Sequence, residues 1–156
     1  MVGSSSLNPT WRTIKARLPA GIATVAIVLM AVYGIWFDFG RHAKTNSARF
    51  DLGNMEQIVW NLSRGHGFTM TDPYGIANVS RFAFHADPFL ILLVPFYAIW
   101  PQTETMLLLQ VLAVASGGIA IWLISRKLLS SAWWATLFVG LYTVNPSVQW
   151  SMSIDV

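Results

Sequence analysis

The chain contains no cysteine, which excludes disulfides and thiolate metal sites and leaves the redox compartment unmarked. It is also poor in charge. Asp, Glu, Lys and Arg make up 11% of its 156 residues, against roughly 25% in soluble domains. The isoelectric point near 9.6 comes from only ten Lys and Arg, with no run longer than the pair Arg126-Lys127. A surface that tracks nucleic-acid phosphates needs a basic cluster, so nucleic acid is excluded as a partner. What fills the chain instead is apolar: 54% hydrophobic residues, with eight Trp and nine Phe. Such a composition suits lipid-facing and interfacial surface.

Three uncharged windows approach the ~20 residues that a helix needs to cross a bilayer: Leu18–Phe37, Thr105–Ile124 and Ser131–Trp150, the last interrupted near its end by Asn145-Pro146. The first is too long for an ordinary signal-peptide core, and the following "WFDFGRH" offers no small-x-small cleavage site, so a retained signal-anchor is expected. A fourth apolar run, Pro88–Trp100, has thirteen residues and would rise only about 20 Å as a helix. With Pro95 inside it and Pro101 closing it, it reads as a short helix at, or dipping into, the membrane surface.

Arg12, Lys15 and Arg17 precede the first window, and Arg126 and Lys127 follow the second. The bias of Lys and Arg toward cytoplasmic loops places both flanks, and the N-terminus, in the cytoplasm of a cell envelope whose plasma membrane holds the chain. This requires that Pro88–Trp100 not cross. Asp38, Asp51, Glu56, Asp72, Asp87, Glu104 and Asp155 then all lie on the exoplasmic side. Long loops collect charge without further cause; a carboxylate-lined site at the outer membrane surface is the alternative.

The most polar part of this loop is "RFDLGNMEQIVWNLSRGHGF", residues 49–68. Leu52, Met55, Ile58, Val59 and Leu62 fall on one face of a helix, and Asn54, Gln57, Asn61 and Arg64 form a stripe on another. An amphipathic helix over 51–64 follows, lying in the interface, with Asp51 as N-cap and Gly65 as its stop. Asp51 is read in two ways: as a cap contributing about 1 kcal/mol, or as a functional carboxylate acting as base or ligand. Beyond it, Asp72-Pro73 and Tyr74-Gly75 mark turns. "SRFAFHADPF" then brings Arg81, His85 and Asp87 to the foot of the short apolar helix. His85 and Asp87 could share a metal, or Asp87 could simply cap that helix with Pro88 in its first turn. The sequons at Asn61 and Asn78 matter only in a cell that glycosylates, and Ala113 with Gly117 gives the second window a small-residue face for close helix packing.

Taken in order, a basic start, one span, a loop opening with "RFDLGNMEQIVW", the hook "SRFAFHADPFLILLVPFYAIWP" and then "ETMLLLQVLAVASGGIAIWLISRKLL" resemble a family of uncharacterised polytopic prokaryotic membrane proteins. That family is grouped with the GT-C glycosyltransferases, the superfamily of protein mannosyltransferases, oligosaccharyltransferases and lipid A aminoarabinose transferase. The resemblance covers about residues 10–156. It implies that this chain is the N-terminal part of a longer protein, inactive alone, that uses a polyprenyl-phosphate-linked sugar donor. By resemblance Asp51 is the catalytic carboxylate of the first outer loop, and Asp155, at the start of a second, is a candidate metal ligand for a divalent ion on the donor phosphate. Arg49 or Arg81 would grip that phosphate, and Glu56, His85 and Asp87 would line the substrate site. The paired Asp-Glu of some GT-C families is missing, since Leu52 follows Asp51.

The expected fold is therefore all-α and integral to the membrane, with about three transmembrane helices and interfacial helices in the loop. A non-enzymatic reading, as a transporter subunit or assembly factor, stands beside the glycosyltransferase. A transporter places ionisable groups within its spans, and the three windows hold none.

Overall fold

The computed structural model describes residues 9–44, 51–72, 74–75 and 77–153. Among the described residues six α-helices carry the fold: α1 (Pro9–Ala43), α2 (Asp51–Ser63), α3 (Val94–Ile99), α4 (Thr103–Leu129), α5 (Ala132–Thr143) and α6 (Pro146–Ser153). A two-stranded ribbon, β1 (Thr69–Thr71) and β2 (Asn78–Ser80), and two 3-10 segments, Arg81–Ala83 and Pro88–Leu93, complete it. The fold is all-α apart from that ribbon. The chain divides into two compact units, one of residues 1–33 with 113–151 and one of residues 34–112 with 152–156.

The first unit is helical. Among the described residues two helices, Thr13–Ala43 and Thr103–Leu129, are long and apolar enough to cross a bilayer, yet only 22% of each apolar window is buried. A core helix of a soluble protein would be mostly buried, so these side chains face outward into a medium that accepts them. Packing within the unit relies on small residues, as expected between helices in lipid, where close backbone approach replaces the hydrophobic drive. The place a Cβ would take at Gly118 is 2.8 Å from Ile27 Cγ1 of α1, and at Gly117 it would strike the Tyr142 hydroxyl of α5. That hydroxyl donates to the Val114 carbonyl at 2.6 Å. Thr136 of α5 donates to the Pro19 carbonyl at 2.9 Å, so both α1 and α4 are tied to α5 by side-chain hydroxyls.

The third window is not one helix. α5 has twelve residues, about 18 Å of rise against a ~30 Å hydrocarbon core. The break falls at Asn145, whose Oδ1 accepts from the Ser147 and Val148 amides at 2.9 and 3.4 Å. Asn145 thus caps α6, with Pro146 in the first turn where its missing N–H costs nothing. Two helices among the described residues, not three, meet the spanning length.

The second unit has a core of Leu52, Ile58, Val59, Met70, Leu90, Tyr97, Met106 and Leu107. The apolar face expected of α2 is the face it buries: Ile58 and Val59 are fully enclosed, each stabilising by about 1.5–3 kcal/mol. Gly65 ends α2 at a φ of +77°, a left-handed conformation that favours glycine. The Gly65 amide bonds the Leu62 carbonyl and the His66 amide the Asn61 carbonyl, at 3.1 and 2.9 Å, which is a Schellman stop.

The ribbon was not expected from the sequence. Its register pairs Thr69 with Ser80, Met70 with Val79 and Thr71 with Asn78. The outer edge of β1 is held by α2 instead of a third strand. Gln57 accepts from the Thr71 amide and donates to its hydroxyl, both at 2.9 Å, and Asn61 donates to the Thr69 carbonyl at 2.7 Å. A hairpin alone is marginal in water; here the polar stripe of α2 supplies the missing edge.

Pro88–Trp100 is likewise two pieces, a 3-10 segment to Leu93 and then α3. Pro95 lacks an N–H, so a continuous α-helix would leave the Ile91 carbonyl without its donor; restarting at Val94 puts Pro95 in a first turn. Leu90 and Tyr97 point into the core, while Leu92, Phe96 and Ile99 are exposed.

Gly118→Val should force Ile27 away from α4 and cost about 1–3 kcal/mol by overpacking. The thermal midpoint in detergent measures this, and a midpoint equal to wild type would contradict the packing.

Candidate functional site

The chemically capable side chains of the second unit gather on α2, on the turn after β2 and at the head of α4. Arg81 follows the ribbon directly, its amide bonding the Phe68 carbonyl at 2.8 Å, and its side chain is nearly buried. Its guanidinium meets Asp87: Nε and Nη2 both donate to Oδ2, at 2.9 and 2.6 Å. The Arg81 side chain is 10% exposed and that of Asp87 22%, and Arg81 Nη1 also lies 3.9 Å from the Met70 sulfur. Asp87 does precede the 3-10 segment with Pro88 following, but its carboxylate makes no capping bond. Arg81 takes it instead, because a charge-assisted pair is about twice as strong as a neutral hydrogen bond.

Glu56 leaves the middle of α2 toward the core side. It accepts from the Tyr97 hydroxyl at 2.9 Å and from the Thr103 hydroxyl at 2.5 Å, joining α2 to α3 and to the first residue of α4. Burial of the phenol, its hydrogen bond to Glu56 and the negative charge of Glu56 push the Tyr97 pKa from 10.0 up to about 12. Tyr97 and Thr103 escaped the sequence reading. The one available signal was that Tyr97 carries the only hydroxyl in the apolar run Pro88–Trp100.

Asp51 stands in the first turn of α2, one position later than a capping residue would, where the positive end of the helix dipole favours a carboxylate. It is exposed, and among the described residues no hydrogen bond or ion pair engages it. Glu104 likewise lies in the first turn of its helix, as the second residue of α4. His85 is exposed, its amide bonding the Arg81 carbonyl at 3.0 Å, and its ring pairs with neither Asp87 nor Arg81. Asp38, near the end of α1, is buried at 3% exposure. Arg49 and Asp155 lie outside the described residues.

Arg81 and Asp87 are therefore brought together, Glu56 is committed to two hydroxyls, and Asp51 and His85 stand open. Among the described residues there is no group of three His, Asp or Glu side chains that could hold a metal ion, and the candidate ligand Asp155 lies outside them.

Two long helices with mostly outward-facing apolar surface, joined to a small polar-stapled unit, define an integral membrane protein. The chain belongs to the family described as "Predicted membrane protein (DUF2079)", which matches residues 41–155. No curated protein and no solved structure matches it.

The Tyr97 proton is held more tightly in the folded chain than in the unfolded one, so the stability it contributes is complete below about pH 10 and is lost as pH rises toward 12. Melting midpoints of wild type and Tyr97→Phe across that window should converge as pH rises. A constant difference between them would contradict the Tyr97–Glu56 contact.

Proposed function

We propose that this chain carries the outer-loop carboxylate of a GT-C-like glycosyltransferase, which moves a sugar from a polyprenyl-phosphate carrier at the exoplasmic face of the plasma membrane. The observation that carries this reading is the state of the loop acids. Glu56 and Asp87 are engaged by Tyr97, Thr103 and Arg81, whereas Asp51 is exposed at the head of a well-anchored helix. A base must reach its proton while its own backbone stays fixed, and Asp51 has both properties. Glu56 then serves as the brace that fixes α2, and the Arg81–Asp87 pair fixes the turn bearing His85. The basic flanks Arg12–Arg17 and Arg126-Lys127 support a cytoplasmic N-terminus. The exposed Leu92, Phe96 and Ile99 support seating of α3 in the interface.

In this reading the Asp51 carboxylate takes the proton of an acceptor hydroxyl as that oxygen attacks the anomeric carbon. The carrier phosphate departs with the bonding electrons, and a cationic side chain such as Arg49 is the partner for its charge. The engagement of Glu56, Arg81 and Asp87 in bonds within the unit equally favours a second reading, a non-enzymatic assembly factor whose loop is a structural module.

Transfer from radiolabelled polyprenyl-phosphate sugars, measured in membranes containing the chain in its native context, separates the two. Asp51→Asn should lower transfer by about 10²- to 10⁴-fold, the range of a general base, with the melting midpoint preserved. Transfer equal to wild type would overturn the assignment of Asp51.

A further inference from the structure

The geometry points to a binding site for an anionic phospholipid between α1 and α4, near the N-terminal end of α1. The two helices touch where Ile27 lies against Gly118. Toward the N-terminal end of α1 they leave a cavity of about 100 Å³, lined by Ala20, Ala23, Thr24 and Ile27 of α1 and by Ile119 and Trp122 of α4. The small side chains of Ala20 and Ala23 make the recess on the α1 side. α1 is held at this level, because the Pro19 carbonyl accepts from Thr136 of α5 at 2.9 Å. The volume is below the roughly 300–1,000 Å³ of a typical small-molecule site. The cavity therefore takes one group of a ligand whose remainder lies along the helices outside it.

Of the six lining residues, Thr24 and Trp122 carry the polar side-chain groups. Among the described residues neither the Thr24 hydroxyl nor the Trp122 indole N–H makes a hydrogen bond. Other hydroxyls of the unit do: Ser116, Thr136 and Thr143 each donate to a carbonyl of their own helix. In hydrocarbon an unpaired donor is costly, so these two call for an acceptor. Thr24 lies about 9 Å inside the start of the α1 window at Leu18, and Trp122 about 3 Å inside the end of the α4 window at Ile124. Side chains lean toward the N-terminus of their own helix. Since α1 and α4 cross in opposite directions, the two groups lean toward a common depth between those levels. An acyl ester carbonyl, with two lone pairs and no proton, is the lipid group that matches two donors there.

The charges fit the rest of such a molecule. The first unit, residues 1–33 with 113–151, holds Arg12, Lys15, Arg17, Arg126 and Lys127 and no Asp or Glu. Its cations thus have no acid within their own unit. Two of them share helix faces with the cavity. Arg17 stands three residues before Ala20 and seven before Thr24, and Arg126 stands four after Trp122 and seven after Ile119. Both are exposed, and they lie about 1.5 and 3 Å beyond the ends of the two apolar windows, where guanidiniums meet lipid phosphates. Orientation in the membrane needs cations in the flanks, but it does not call for one from each helix on the side of the cavity. A phosphate at the arginines, an ester at Thr24 and Trp122, and an acyl chain along Ile27 and the exposed Ile119 follow the order of groups in a glycerophospholipid. The inference requires that α1 and α4 cross the bilayer, and holds whether or not sugar transfer occurs.

The test is calorimetric titration of the full chain in neutral detergent with dihexanoyl phosphatidylglycerol. Dihexanoyl phosphatidylcholine is the control without net charge, and ether-linked dihexyl phosphatidylglycerol is the control without ester carbonyls. Inorganic phosphate is the competitor. Wild type should bind the anionic ester saturably and the phosphatidylcholine about tenfold more weakly. Arg17→Gln combined with Arg126→Gln should weaken the anionic ester about thirtyfold, the effect of two cations at a headgroup. Trp122→Phe and Thr24→Val keep the shape and remove one donor each. Each should weaken the ester about fivefold and leave the ether unchanged, with helix content preserved. Wild-type affinity in the double arginine variant or in both donor variants, or equal binding of the two headgroups, would overturn the site. Displacement by inorganic phosphate at concentrations equal to the lipid would make the ligand a free ion and overturn its lipid origin. Because transfer is not measured, this outcome is independent of Asp51.

Discussion

The Glu56 carboxylate is the contact on which the second unit depends. In a chain with so few charges, a carboxylate turned toward a core of Leu, Ile and Met has to find donors or be expelled. Glu56 finds two, Tyr97 and Thr103, and each hydrogen bond to a charged acceptor contributes about 1.5–3 kcal/mol. Those donors lie 41 and 47 residues away in sequence, so the bonds close a long loop. They fix where α2 meets α3 and the start of α4. With α2 fixed, Gln57 and Asn61 hold the ribbon edge, the ribbon carries Arg81, and Arg81 holds Asp87. One polar contact in the middle of a helix thus ties together α2, α3 and the first residue of α4.

Two kinds of apolar surface result, and they answer to different solvents. Ile58, Val59, Met70 and Leu107 are enclosed by other side chains, as in a water-soluble core. Along α1 and α4 the pattern reverses: Val25, Leu29, Val32, Leu123 and Leu128 are exposed, while the buried positions are often small, such as Ala23 and Ala115. Lipid makes that inversion inexpensive, because a leucine in hydrocarbon gains little by moving inward. Membership in a membrane-protein family and this inverted burial lead to the same conclusion by separate routes.

Where a pattern was local, the sequence was readable. The apolar and polar faces of α2, its glycine stop, and the windows of α1 and α4 follow from residues within a turn or two of one another. The ribbon was hidden because its strands have three residues each and its edge is satisfied by side chains from 8 and 14 positions away. The third window misled because its apolar content is continuous while its backbone is not: Asn145 offers its own side chain to the amides of α6, a choice hydropathy does not register. Among candidate site residues, types were legible but commitments were not. Arg81 and Asp87 looked available to a substrate, and the fold gives them to each other.

The topology we propose puts the stapled acidic unit outside the cell and the turn after α4 inside. The absence of cysteine permits a direct test with single cysteines at Ala77, at the ribbon, and at Ser130, after α4, using a membrane-impermeant maleimide on intact cells. Labelling at 77 alone, with 130 reacting only after permeabilisation, is the predicted result. Labelling at 130 alone in intact cells, or at both positions, would contradict it.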